Sequence, residues 1–385
     1  MSCTVRCRVY AAPRPGSHRW FAGPVTVQRG DRVSGWPLWA LVIAFVAAAA
    51  AVWVAGFSLS NQTDVLSARF DLGSALGGLI LLAIATNLPE IAIVASASLS
   101  DNLGVAVGNI LGGIAIQTVV LVALDAFGVR GQRPLTYRAA SLVLVLEALL
   151  VVAVLAIVIA GTQLPPSLIA LHVTPAALLI ALTWVAGLVL LRRAGKWLPW
   201  HESGQPPDGQ EHPRGQSTAE RVRKQNIGTA KSAGIFAVAA GVTLVAGVVL
   251  ERSGDAIADH VGLSGVLFGA TILAAATSLP ELSTGLASVR IGDYQLAMSD
   301  IFGGNAFLPV LFLMATVISG HAVLPQAQHT DIYLTALAMV LTLIYATGLL
   351  FRPNRRFARM GVDSLTVLLV YAVGVAGLFA IARGG

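Results

Sequence analysis

The stretch Ala83-Ile-Ala-Thr-Asn-Leu-Pro-Glu90 returns later in the chain as Ala274-Ala-Ala-Thr-Ser-Leu-Pro-Glu281. Each copy lies in an apolar run long enough to cross a bilayer, and a carboxylate in hydrocarbon is costly enough to mark a functional site. Proline just before the acid removes a backbone donor and clashes one turn back, so the helix is expected to open where the glutamate lies. Thr86 and Thr277, four residues before the acids, and Asn87 and Ser278, three before, share the helical face of the glutamates. One span thus brings a carboxylate, a hydroxyl, an amide or second hydroxyl, and freed carbonyls to one point. Oxygen donors of that kind suit a hard cation such as Ca²⁺ or Na⁺.

A single offset of 191 residues aligns Gly78 to Glu90 with Gly269 to Glu281, with identity at Gly, Leu, Ala, Ala, Thr, Leu, Pro and Glu. The same offset runs on without a gap into the next span. There Gly108-Asn-Ile-Leu-Gly-Gly113-Ile-Ala-Ile-Gln117 meets Ser299-Asp-Ile-Phe-Gly-Gly304-Asn-Ala-Phe-Leu308. Duplicated helix pairs belong to transporters built from internal repeats, which bind substrate near the midplane where the repeats meet.

These residues resemble the cation/calcium exchanger superfamily, the group that contains the sodium/calcium exchangers. Its two repeats each carry a Gly-Thr-Ser-Leu-Pro-Glu-like segment followed by a Gly-Asn-x-x-Gly-Ser-Asn-like helix. The resemblance implies that Thr86 and Glu90, with Thr277 and Glu281, line a central ion site. Asn87 and Ser278 stand at the next ligand position, and the carbonyls of Ala83 and Ala274 would complete the cage. Asn109, Gln117, Asp300 and Asn305, on the following helices, are further candidates. The transported ions implied are Ca²⁺ and Na⁺ or H⁺, with no cofactor.

The composition, 56% hydrophobic and 11% charged, belongs to the membrane class. At ~20 residues per span the chain has room for about ten helices. Ten are marked: Trp36–Phe57, Leu72–Leu99, Leu103–Phe127, Arg138–Ala160, Thr174–Leu191, Ala233–Leu250, Gly262–Val289, Leu296–Ile318, Ile332–Leu350 and Val362–Ala382. The expected fold is all-α and integral to the membrane, with ten transmembrane helices in two inverted five-helix repeats, 36–191 and 233–385. Residues 1–35 hold six arginines and no apolar periodicity. They read as a disordered basic arm or the product of an upstream start codon, since no clear cleavage site follows the first apolar run. Cys3 and Cys7 lie there without histidine partners and make no metal site or disulfide framework. The hydrophilic segment 192–232 reads as a linker, and its His201 and His212 as solvated.

The formal charge of +6 is no nucleic-acid signal, because no basic cluster interleaves with aromatics. Its distribution orients the chain instead. Loops after the odd-numbered spans carry 17 Lys and Arg, against two, Arg252 and Arg383, on the other side. The linker is therefore expected in the cytoplasm and the C-terminus outside, in a multi-pass protein of the plasma membrane. An odd number of spans per half makes the two glutamate helices antiparallel, as alternating access requires.

Two facing glutamates match one divalent cation. Without it they take up other positive charge, which is the physical basis of exchange. Four positions depart from the resemblance. Gly113 and Gly304 stand where the family places serine, and Gln117 and Leu308 where asparagine or aspartate is common. Asp300, in place of asparagine, lies two turns before Leu308 on one face and either returns an acid to the pathway or only hydrogen-bonds at the helix end. Asn87 resembles the Asn-x-x-Glu of proton-coupled members. Glu147, deep in the fourth span, needs a partner. The leading function is an antiporter of Ca²⁺ or a similar cation against Na⁺ or H⁺. The rival is an exchanger-fold channel or regulator without coupled exchange. A membrane enzyme has little support, because no Ser/His/Asp set occurs and no histidine accompanies the intramembrane acids.

Overall fold

The computed structural model describes residues 35–69, 84–194, 229–263, 265–290 and 292–384. The basic arm, Ala83 with the front of the second expected span, and all but the ends of the expected linker lie outside the described residues.

Helix α1 covers Leu38–Arg69, α2 Leu88–Leu99 and α3 Leu103–Ala123, the last extended by a π turn at Leu124–Gly128. Then come α4 at Leu135–Ala139, α5 at Leu142–Thr162, α6 at Pro175–Ala194 and α7 at Thr229–Val261. The second motif is split among α8 at Gly265–Phe268, a π turn at Gly269–Leu273, α9 at Ala274–Thr277 and α10 at Leu279–Arg290. Helix α11 at Tyr294–Phe307, a 3₁₀ turn at Leu308–Val310 and α12 at Leu311–Ser319 form one span. Helix α13 at His329–Phe351 and α14 at Val362–Gly384 close the chain. Between them a small antiparallel hairpin pairs β1, Arg356–Phe357, with β2, Met360–Gly361.

Among the described residues eight helices are long and apolar enough to cross a membrane, or nine if the pair around Ser278, bent by 46°, counts as one span. Their burial sorts them. In the most apolar part of the α3 span 78% of residues are buried, and in that of α14 22%, so α3 is a central helix and α14 a peripheral one. Val373, Val245 and Leu190 stand exposed on outer helices. Apolar surface of that extent belongs against lipid.

Helices α1 and α7 begin one repeat offset apart and run 32 and 33 residues, well beyond the expected ends at Phe57 and Leu250. The polar residues that read as span ends, Asn61, Gln62 and Thr63 in one and Glu251 and Arg252 in the other, remain helical. These two helices share the most extensive helix–helix interface among the described residues. Each also crosses the motif of the other repeat. A Cβ on Gly56 would stand 2.6 Å from Pro280 Cβ, and one on Gly247 would stand 2.8 Å from Ala92 Cβ and 3.0 Å from the Pro89 carbonyl oxygen. Gly56 and Gly247 are repeat mates, so the duplication exchanges partners between the halves.

The fourth span starts at Leu142, not Arg138. Ser141 adopts an extended backbone and caps the helix, its hydroxyl accepting from Val143 N at 3.2 Å. The eighth span is continuous in direction but tightens at Pro309, which has no N–H to give. The linker is shorter than expected at both ends, because α6 reaches Ala194 and α7 begins at Thr229.

Gly112 is where α3 meets the second motif. A Cβ there would come within 2.2 Å of Ala270 Cα, which is backbone and cannot rotate away. Gly112→Val is therefore expected to cost about 1–3 kcal/mol or more through overpacking. Thermal unfolding in detergent should show a clear drop in Tm; an unchanged Tm would mean that the two elements do not pack this closely.

Candidate functional site

Both motifs break at the residue three before the acid. Asn87 has φ −88° and ψ 13°, and Ser278 has φ −81° and ψ 3°, so the two repeats share one local conformation outside the helical region. The break therefore precedes the prolines. Pro89 and Pro280 stand in the first turn of α2 and α10, where a missing N–H costs little. Glu90 and Glu281 follow in the same first turns, where the helix dipole favours a carboxylate.

The chain buries both acids fully, Glu90 at 0% and Glu281 at 1% exposure. Glu281 lies within electrostatic reach of Glu90 and of Asp300. Thr277 and Gln117 approach Glu90, yet neither of its oxygens completes a hydrogen bond. Gln117 Nε2 bridges Asn87 Oδ1 at 3.3 Å and Glu281 Oε1 at 3.4 Å, and Glu281 Oε2 has no partner. Three of the four carboxylate oxygens are thus buried and unmatched. Unmatched buried oxygens are costly, and a cation is the partner that would offset them.

Thr86 is buried beside them in the first motif. In the second, Ala274 O accepts from Ser278 N at 3.1 Å, Ser278 Oγ at 2.8 Å and Thr277 Oγ1 at 3.2 Å. This carbonyl is occupied rather than freed by the break. The two hydroxyls, having given away their protons, keep lone pairs for a cation. The equivalent Ala83 lies outside the described residues.

Asp300 accepts from Thr284 Oγ1 at 2.8 Å, which anchors it one turn along α10 from Glu281. Its repeat mate Asn109 is buried against Gly269, with no partner for either amide atom. Asn305 donates to Thr118 Oγ1 at 3.0 Å, which ties α11 to α3, and its Oδ1 is buried without a partner. Glu147 has the partner it needs: Ser299 Oγ donates to it at 2.8 Å.

The departing positions meet in pairs across the repeats. A Cβ on Gly304 would fall 2.9 Å from Asn87 Nδ2 and 3.4 Å from Gln117 Oε1, so the missing side chain makes room for two amides. A Cβ on Gly113 would lie 3.4 Å from Leu308 Cδ1, so the other flank is filled with hydrocarbon. Sequence alone did not single out Thr284, Thr118 or the buried Glu251, which accepts from Ser96 Oγ at 2.9 Å two turns beyond Glu90. The spacing Glu-x-x-Thr was a usable signal for Thr284. Glu251 escaped because it sits one residue past an expected span end.

Among the described residues no three His, Cys, Asp or Glu side chains converge as a metal cluster. A cation at the glutamates would therefore draw most of its ligands from neutral oxygens, as hard cations accept.

The fold has solved counterparts. It is similar to the H⁺/Ca²⁺ exchanger CAX, with a TM-score of 0.61, 13% identity, and coverage of 89% of this chain and 87% of that one. It is also similar to the sodium-calcium exchanger NCX_Mj, with a TM-score of 0.57, 17% identity, and coverage of 88% and 99%. In sequence the chain is similar to the inner membrane protein YrbG of Escherichia coli (strain K12), 26% identical over 70% of this chain and 77% of that protein. It is 28% identical to the putative antiporter CaxA of Alkalimonas amylolytica over 72% of this chain and 81% of that one. The sodium/calcium exchanger protein profile matches residues 40–194 and 231–380, on either side of the linker, and the chain belongs to that family of multi-pass membrane transporters.

Proposed function

We propose that this protein is an antiporter that exchanges Ca²⁺ or a similar cation for Na⁺ or H⁺ by alternating access at Glu90 and Glu281. One observation carries the reading: two fully buried glutamates, close enough for their charges to repel, leave three carboxylate oxygens unmatched. Thr86, Thr277, Asn87, Ser278 and the carbonyl of Ala83 complete the oxygen set, with Gln117 holding one glutamate and one amide in register; the Ala274 carbonyl, already occupied by three donors, stands outside it. The family membership and the names of the relatives, exchangers and a putative antiporter, support it.

The architecture that serves this function is two inverted five-helix repeats, ten spans in all. The equal offset of α1 from α7 supports that division, as do the matched segments on each side of 195–230. The arginine-rich loops put the linker in the cytoplasm and the C-terminus outside, in the cell membrane. Everted membrane vesicles loaded with a pH or Na⁺ gradient and assayed for labelled Ca²⁺ test the reading. Uptake that follows the counter-ion gradient is expected. Uptake indifferent to any gradient would favour a channel and overturn coupled exchange.

A further inference from the structure

The arginines that orient the chain also build a pocket. The loop after the α3 π turn and the hairpin between α13 and α14 enclose about 700 Å³, lined by Arg130, Gln132, Asn354, Arg355, Arg356 and Arg359. Arg356 is the anchor. Its guanidinium donates to Asp125 O at 2.6 Å and Gly131 O at 2.8 Å, and lies 3.7 Å from the buried Asp125 carboxylate. Asp125 in turn accepts from Gly361 N at 2.6 Å and Ser364 Oγ at 2.9 Å, which fixes the hairpin to α3.

The other three arginines are different. Arg130, Arg355 and Arg359 are exposed, and among the described residues their guanidiniums make no hydrogen bond or ion pair. The hairpin turn holds Ala358 at φ 47° and Arg359 at φ 69°, left-handed values that non-glycine residues adopt at a cost. Among the described residues, then, no carboxylate is paired with these three cations.

A mainly apolar groove of about 490 Å³, with Asp363 among its lining, follows along the chain. Pro353 lines the groove and the next residue, Asn354, lines the pocket. It runs between α13 and α14 from Phe351 and Val362 to Val340. Eleven residues of helix make about 16 Å, close to the half of a ~30 Å hydrocarbon core that one leaflet fills. Phe351 is exposed at the junction. A cationic pocket whose lining is followed in the chain by that of a leaflet-deep, mainly apolar groove is complementary to one kind of molecule.

We propose that pocket and groove together bind one anionic glycerophospholipid, its phosphate diester among Arg130, Arg355 and Arg359 and one acyl chain along α13 and α14. The site shares no residue with the glutamate pair; Asp125, which anchors Arg356, lies on the π turn that extends α3, two turns beyond Gln117.

The test is native mass spectrometry of the full chain in neutral detergent, with dioleoyl phosphatidylglycerol as probe and dioleoyl phosphatidylcholine and inorganic phosphate as controls. Retention of phosphatidylglycerol over phosphatidylcholine is expected, with no competition from inorganic phosphate at the same concentration. Each arginine removed should weaken binding about fivefold, and the triple variant R130Q/R355Q/R359Q on the order of a hundredfold. Thr366→Trp, which fills the groove and leaves every charge in place, should also weaken it. If the triple variant fails to fold, Arg355→Gln alone carries the comparison. Equal binding of the two lipids, or undiminished binding by the arginine variants, would overturn the proposal. Inorganic phosphate binding as tightly as the lipid would make the site one for free phosphate and overturn it equally.

Discussion

Glu90→Gln and Glu281→Gln are each expected to abolish cation exchange while leaving the protein inserted and folded. Glutamine keeps the shape of the side chain and removes one of the two charges that a buried divalent cation needs. Losing one partner of a buried charge interaction costs about 2–5 kcal/mol, which is a loss of at least about thirtyfold in affinity. The acids are at 0% and 1% exposure, so water cannot stand in for the missing charge.

Thermal unfolding separates this effect from simple damage. A ligand that binds only the folded state raises its Tm in proportion to the logarithm of its concentration. The wild-type Tm should therefore climb with added Ca²⁺, and the Tm of each glutamine variant should stay flat. Without cation the variants should be at least as stable as wild type, because one of two facing acids has been neutralised. Gradient-driven uptake by either variant at the wild-type rate would remove the glutamates from the site.

Much of this arrangement was legible in the chain itself, because duplication writes the same constraint twice. The Leu-Pro-Glu motif located both acids, and the offset carried the pattern into α3 and α11. What the motif could not give was the local backbone. Proline suggested a break at the glutamate, but the helix parts at Asn87 and Ser278, and proline starts the next segment instead of interrupting one. Periodicity also ended α1 and α7 too early, since polar residues at 61–63 and 251–252 resemble a span boundary when neighbours are unknown. Burial of Glu251 against Ser96 depends on α2, which is distant in sequence. The contacts Gly304–Asn87 and Gly113–Leu308 cross between repeats, so each substitution looked like a simple loss until its partner was visible.

From those cross-repeat contacts, exchange is expected to follow the proton gradient rather than Na⁺. A Na⁺ ion beside the central site needs several oxygens, and here one flank presents the Leu308 methyl at 3.4 Å from the Cβ position of Gly113. The other flank is occupied by Asn87 and Gln117, whose amides already bond to each other and to Glu281. A proton needs no such cage. It needs carboxylates that cannot stay charged when the cation leaves, and an ionised carboxylate in hydrocarbon is expensive. Glu90 and Glu281 are buried acids in the membrane, and Asp300, bonded to Thr284, lies within reach of Glu281. Two protons against one divalent cation would keep the site neutral in both directions of travel. One pH unit then supplies about 1.4 kcal/mol per proton, so two protons make about a hundredfold difference in the accumulation of the cation. The deciding measurement is divalent efflux from proteoliposomes at fixed pH with Na⁺ replaced by choline, repeated with an imposed pH gradient. Flux should survive the replacement and scale with the gradient. The double variant Gly113→Ser with Leu308→Asn, which restores two flanking oxygens, should gain a response to Na⁺ that the wild type lacks. Strict dependence of the wild type on Na⁺, with no response to pH, would mean that water or carbonyl oxygens complete a Na⁺ site despite Leu308.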